Sequence, residues 1–208
     1  MKLYLMPPSP RAFKVIALKN HLGIECETQF VDLGNGDQLT PEYVTMNPNK
    51  KMPMLEDDGF VLWESNAILF YLASKRPERG LWPAEVRRQS DVIRWLAWES
   101  AHWDAESFGM VGYEKVSRAV LHRAGSADPS FIARGEGNFA RFAEVLNTSL
   151  KGRIWLVGEA PPIAEFAIGA WIPVASRLDL PIEKYPEIVR WYEGLAALAG
   201  WRESKVVQ

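Results

Sequence analysis

The sequence predicts an α/β domain joined through a short linker to an all-helical domain. Three observations carry this expectation. A strand–helix–strand pattern opens the chain, an Asp57-Asp58-Gly59 turn signal separates two further strand-like runs, and beyond residue 83 strand-like alternation disappears. Short joints in the opening pattern imply a parallel βαβ unit.

The run Lys2-Leu3-Tyr4-Leu5 reads as a short strand closed by Met6-Pro7-Pro8. A helix follows from about Pro10, because proline suits the first helical position. Ala12, Val15, Ile16, Leu18 and Leu22 recur at helical spacing, and Gly23 is a fitting stop. Residues 26–33, with Thr28, Phe30, Val31 and Leu33, form the second expected strand. A loop at Gly34-Asn35-Gly36-Asp37 and a short helix over residues 41–46 come next. Met54 to Glu56 and Phe60 to Trp63 then make an antiparallel hairpin around Asp57-Asp58-Gly59. Ser65 caps a third helix whose apolar stripe is Ile68, Leu69 and Leu72. This order is that of a thioredoxin-like domain over residues 1–76, followed by a Pro/Gly-marked linker over 77–83. Residues 84–208 read as all-helical. Long patterns cover 84–111 and 129–150, an intermediate helix lies near 113–124, and two more cover 163–178 and 186–198, with Pro173 kinking the first of these.

Composition narrows the function classes. With 48% hydrophobic and 24% charged residues the chain can bury an ordinary core. A net charge of −2 and the lack of any Lys/Arg run argue against nucleic acid or an anionic membrane as partner. No apolar stretch nears the roughly 20 residues that cross a bilayer, and Pro7-Pro8 comes too early for a signal-peptide core. Cys26 is the only cysteine, so neither an internal disulfide nor a Cys-x-x-Cys pair is available. Three histidines and one cysteine show no metal-ligand spacing. The expectation is a reduced, cytoplasmic, soluble protein with no metal.

Three features converge on a site for a small acidic thiol. Ser9 stands between the first strand and the first helix. A helix N-terminus offers unpaired N–H groups and partial positive charge, which favour a thiolate, and a serine hydroxyl can donate to its sulfur. The competing reading makes Ser9 a helix cap only. In Lys51-Met52-Pro53-Met54, a cis bond before Pro53 would leave the N–H and C=O of Met52 free to pair with an extended, peptide-like ligand; an ordinary trans proline at a strand start is the alternative. At Glu64-Ser65, the helix start suits a ligand carboxylate and Glu64 a ligand ammonium group, although the pair also reads as a routine cap.

Residues 47–68, NPNKKMPMLEDDGFVLWESNAI, resemble the pattern NPxGKVPxLxxDGxxLxESxAI of the cytosolic glutathione transferase family. The linker and helical half fit the same layout, so the resemblance spans almost the whole chain. The chain is similar to serine-type, theta/phi-like bacterial members, in which a serine lies six residues before a valine of the first helix, as Ser9 does before Val15. The resemblance implies that Ser9 activates the glutathione sulfur, that Met52 and Pro53 pair with the cysteinyl backbone, that Glu64 and Ser65 hold the γ-glutamyl group, and that Lys51 and Gln38 lie near the glycyl end. It also implies glutathione as co-substrate and a homodimer. Two departures stand out. Lys50 replaces a glycine and must tolerate a turn conformation. Pro162 and Glu165 replace the Ser and Asp of a capping box, which removes the hydroxyl half of that cap.

The resemblance places the electrophilic acceptor near the first long helix of the helical half. Trp95, Trp98 and His102 share one face of that helix, with Trp103 at its edge. Part of this set, with Met6 or Pro7, would line an apolar acceptor pocket; packing of the helical core or a subunit contact is the competing account. The function expected is transfer of glutathione to a small electrophile. A glutathione-dependent reductase, dehalogenase or isomerase, or a non-catalytic glutathione-binding scaffold, are the alternatives.

Overall fold

The first strand, β1 (Lys2–Leu5), alternates in burial, with Leu3 and Leu5 buried on one face. It becomes an inner strand of a four-stranded sheet, flanked by the second and third strands of the chain, with the fourth at the edge beside the third. The computed structural model describes residues 1–204. It divides into two units, one of Met1–Trp82 with the described residues from Ala197 on, the other of Pro83–Ala196.

In the first unit, α1 (Pro10–His21) starts with proline in its first turn and buries Ala12, Val15, Ile16 and Leu18. It carries the chain to β2 (Glu27–Phe30), which runs parallel to β1 with Leu5 opposite Phe30. This strand is shorter than the expected 26–33. The Val31 N–H still bonds to Leu5 O, but at Asp32 the carboxylate collects the N–H groups of Gly34 and Asn35 and folds the chain into a loop. After α2 (Pro41–Met46), the strands β3 (Met54–Asp57) and β4 (Phe60–Trp63) form the expected hairpin. Its two turn residues, Asp58 and Gly59, have φ of 51° and 82°. Left-handed backbone at both positions is what a two-residue turn matching strand twist requires. Helix α3 (Ser65–Ser74) buries Ile68, Leu69 and Leu72. The expected linker is anchored to this unit: Pro77–Arg79 makes one 3₁₀ turn, Leu81 is buried, and Trp82 meets the Phe70 ring edge-on.

Every regular element of the second unit is helical. Its elements are α4 (Val86–Trp98), a wide-turned stretch Glu99–Phe108, α5 (Gly109–Gly112), a second wide stretch Tyr113–Ser117, and α6 (Arg118–Val120). There follow α7 (Pro129–Ser149), α8 (Ile163–Gly169) and α9 (Pro186–Ala196). The expected single helix over 84–111 is therefore interrupted by π-type turns. Gly109 permits the first. Its N–H bonds to Asp104 O, five residues back, and a Cβ there would come within 2.7 Å of that oxygen. The helix expected over 163–178 stops at Gly169 and continues as 3₁₀ turns Ile172–Val174 and Ser176–Leu178, the irregular end that Pro173 implies.

The chain then returns to the first unit. Helix α10 (Ala199–Ser204) packs against α1: Trp201 meets the Phe13 ring edge-on at 4.9 Å, and Asn20 donates to Ser204 Oγ at 2.8 Å. The sequence pattern places residues 84–208 in the helical domain and predicts no helix beyond 198; the packing partner of this helix is α1.

Candidate functional site

The register of the sheet gathers the candidate residues. Because β1 and β2 are parallel and β3 is antiparallel to both, the end of β1 faces the start of β3 (Tyr4 opposite Met54). The end of β4 lies there too (Met54 opposite Trp63). Met6 to Ser9, the loop after β2 with Gln38, the approach Lys51-Met52-Pro53, and Glu64-Ser65 therefore all leave or enter the sheet at the carboxyl end of β1.

Ser9 occupies the N-cap position of α1 with extended backbone, φ −139° and ψ 125°, and its carbonyl accepts the Phe13 N–H at 2.8 Å. Its side chain makes no capping hydrogen bond, and no acidic residue occupies the first turn. The hydroxyl thus does not perform the ordinary capping role, and the positive end of the helix lacks a local carboxylate. Glu64 has φ 71° and ψ 111°, a left-handed conformation that non-glycine residues adopt at a cost of about 1–3 kcal/mol. Its side chain is exposed, its carbonyl accepts the Ile68 N–H to open α3, and Ser65 follows half-buried.

The Met52–Pro53 bond is cis, as expected. The loop before it is built on two buried polar residues. Tyr43 and Asn47 both donate to the Lys51 carbonyl at 2.7 Å, and the Asn47 carbonyl accepts from Lys50 N–H at 3.0 Å. Burial pushes the Tyr43 hydroxyl up to about 12, so it remains a donor across neutral pH. Lys50 sits at φ 56°, the turn conformation expected of the glycine it replaces. Tyr43 had no recognised role in the sequence; only its apolar neighbours on α2 would have suggested burial. Gln38 donates through Nε2 to Leu33 O at 3.3 Å, while its buried Oε1 meets no donor among the described residues. Pro7 lines a cleft with Leu5, Ile16, Lys19, Asn20, Thr28 and Phe30, and Met6 is half-buried. Among the described residues no cluster of His, Cys, Asp and Glu is placed to hold a metal ion.

Trp98, His102 and Trp103 belong to the helical unit. Trp103 is fully buried, donates from its indole to Ile168 O at 3.2 Å, and stacks with Trp98 and Phe139. It is therefore part of the core. Trp95 is buried beside Trp98, with its indole N–H unpartnered among the described residues. Trp98 and His102 are half-exposed, and the imidazole stacks on Phe142 at 5.0 Å. Glu165 has a different role from the expected remnant of a cap. It is wholly buried in the core, accepts the Leu156 N–H at 2.7 Å and the Trp191 indole N–H, and burial pushes its carboxyl up to about 8.

A mixed sheet that brings Ser9, a cis-proline approach and a left-handed Glu-Ser corner to one end, followed in the chain by a helical unit, defines a thioredoxin-like domain. Comparison with known proteins gives the family. Residues 1–74 match the model for the glutathione S-transferase N-terminal domain, and residues 130–199 that for its C-terminal domain. The disulfide-bond oxidoreductase YfcG of Escherichia coli K12 is 30% identical, over 89% of this chain and 86% of that protein. A glutathione S-transferase structure from Pseudomonas fluorescens superposes with a TM-score of 0.86 at 28% identity, covering 96% of each chain. The structure of Ure2p in complex with glutathione also gives 0.86, at 26% identity over 98% of this chain and 91% of that one. The chain belongs to the glutathione S-transferase family.

Proposed function

We propose that the protein binds glutathione at the carboxyl end of β1, ionises its thiol beside Ser9, and directs the thiolate at a small, apolar electrophile. One observation carries the reading: the Ser9 hydroxyl stands at the N-terminus of α1 with no capping bond of its own. Donation from that hydroxyl and the positive helix end both favour the anion, and each pKa unit by which they lower the thiol corresponds to about 1.4 kcal/mol. The thiolate is the attacking form, so the shift enlarges the reactive population near neutral pH. The Ure2p complex supports a family site for glutathione.

The remaining roles follow the extended tripeptide. Met52, whose N–H and C=O make no backbone hydrogen bond among the described residues, pairs with the cysteinyl backbone beside Pro53. Glu64 takes the γ-glutamyl ammonium and Ser65 its carboxylate. Lys51 and Gln38 serve the glycyl end, where the unmatched Gln38 Oε1 is open to a donor. Trp98 and His102, half-exposed on the helical unit, contribute apolar surface to the acceptor. Nothing in this scheme needs a metal. We assign the chain to the serine-type, theta/phi-like members, acting as a cytoplasmic homodimer in detoxification.

A second reading has a specific observation behind it. YfcG is named a disulfide-bond oxidoreductase. The same thiolate could attack a disulfide, releasing one thiol and leaving a mixed disulfide that a second glutathione resolves, with two glutathiones oxidised to glutathione disulfide. Calorimetric titration with glutathione, followed by assay on a panel of electrophiles and disulfides, separates the readings. Conjugation of electrophiles supports transfer, reduction of disulfides alone supports the second reading, and binding without turnover supports a scaffold. Absence of binding contradicts all three. In a folded Trp98→Ala variant, the acceptor KM should rise several-fold while glutathione affinity holds; an unchanged KM removes Trp98 from the acceptor surface.

A further inference from the structure

Lys14 lies just over one turn into α1 and is 1% exposed, whereas lysine is almost never fully buried without a partner. Its Nζ donates to Asn66 Oδ1 at 2.8 Å. Asn66 is the second residue of α3, next to Ser65 and to the left-handed Glu64. This hydrogen bond links the helix that begins after Ser9 to the first turn of the helix that begins at Ser65. These are the two helix starts that the glutathione reading assigns to the sulfur and to the γ-glutamyl carboxylate. An unbranched apolar chain such as methionine would fill similar volume without the cost of burying an ammonium group, so packing alone does not account for a lysine here.

We propose that Lys14 is a positioning residue for glutathione: through Asn66 it fixes the Glu64-Ser65 corner relative to Ser9, so that both ends of the γ-glutamylcysteine unit are held at once. The inference rests on the glutathione-binding reading above and adds two residues to it that make no contact with the tripeptide.

The test titrates the full-length protein and its Lys14→Met, Lys14→Arg and Asn66→Ala variants with glutathione. Cysteinylglycine, which lacks the γ-glutamyl residue, is titrated in parallel. Tryptophan fluorescence reports binding, and circular dichroism and Tm report folding. In Lys14→Met the glutathione Kd should rise about tenfold, the scale set by one hydrogen bond to a charged group. The cysteinylglycine Kd should stay within about twofold, since a bond that serves only the γ-glutamyl corner gives that ligand little to lose. Lys14→Arg should restore much of the lost affinity. Asn66→Ala removes the acceptor and should reproduce the selective loss, and combining it with Lys14→Met, which takes away the buried ammonium group, keeps the test open where a single variant fails to fold. Equal weakening of both ligands, or an unchanged glutathione Kd in a folded variant, overturns the inference while leaving the glutathione reading intact. A wild-type protein that binds no glutathione overturns both.

Discussion

At the residue scale, two side chains sit where simple propensity would not put them, and each has a measurable consequence. Lys50 holds φ 56° in the loop that Asn47 and Tyr43 organise. A left-handed non-glycine residue costs about 1–2 kcal/mol, and glycine gives back about half of that through its larger unfolded-state entropy. Lys50→Gly should therefore stabilise the protein by about 0.5–1 kcal/mol, seen as a higher Tm; an equal or lower Tm would show that the loop relies on the lysine side chain. Glu165 gives a pH signature. Its carboxyl is raised from 4.5 to about 8 in the folded state, so between those values the folded chain binds more protons than the unfolded chain. Its contribution is complete below pH 4.5 and is lost as pH rises through about 8. Glu165→Gln, which keeps an acceptor for Leu156 and Trp191, should flatten that decline. Glu165→Ala should cost about 2–4 kcal/mol by leaving two buried donors unpaired. Urea unfolding at pH 5, 6.5 and 8 reads both, and a wild-type profile with no decline over that range would contradict the assignment.

At the element scale, the sequence disclosed what depends on local chemistry and hid what depends on distant packing. The βαβ start, the Asp58-Gly59 hairpin and the proline-opened helices α1, α2 and α7 were legible because turn and cap residues act within a few positions. Ser9, Met52-Pro53 and Glu64-Ser65 were legible for the same reason, being corners of the chain. The wide turns over Glu99–Phe108 were not, because the slip of hydrogen bonds from i−4 to i−5 is set by packing around the helix and not by a turn or cap residue; Gly109 was the single available hint. The Lys14–Asn66 bond spans 52 positions and carries no local signal. Helix α10 was hidden too, since helical pattern does not say against what a helix packs. Its dependence on Gly200 is testable: a Cβ there would lie 2.1 Å from His21 N, a backbone atom that cannot yield cheaply. Gly200→Ala should cost about 1–3 kcal/mol by forcing α10 away from α1, with faster hydrogen exchange in α1. Wild-type exchange and stability in that variant would show that the contact is slack.

At the scale of the whole molecule, the two units carry different parts of the proposed scheme. The first holds every residue assigned to glutathione, and the second supplies a core of stacked aromatics in which Trp103, Phe108 and Phe139 are sealed. The pairing of four corners at one sheet end is a product of strand order, which the sequence pattern implied only through the βαβ and hairpin units. The proposed homodimer predicts a concentration-independent mass of two chains on sizing at micromolar protein; a single-chain mass would contradict it. The central claim concerns one charge. The bound thiol should be titrated by ultraviolet absorbance of the thiolate in the wild type and in Ser9→Ala, both saturated with glutathione. The expected result is a thiol pKa well below that of free glutathione in the wild type, rising by about one to two units, or roughly 1.4–2.7 kcal/mol, when the hydroxyl is removed. Saturable binding with the same thiol pKa in both proteins would contradict the account.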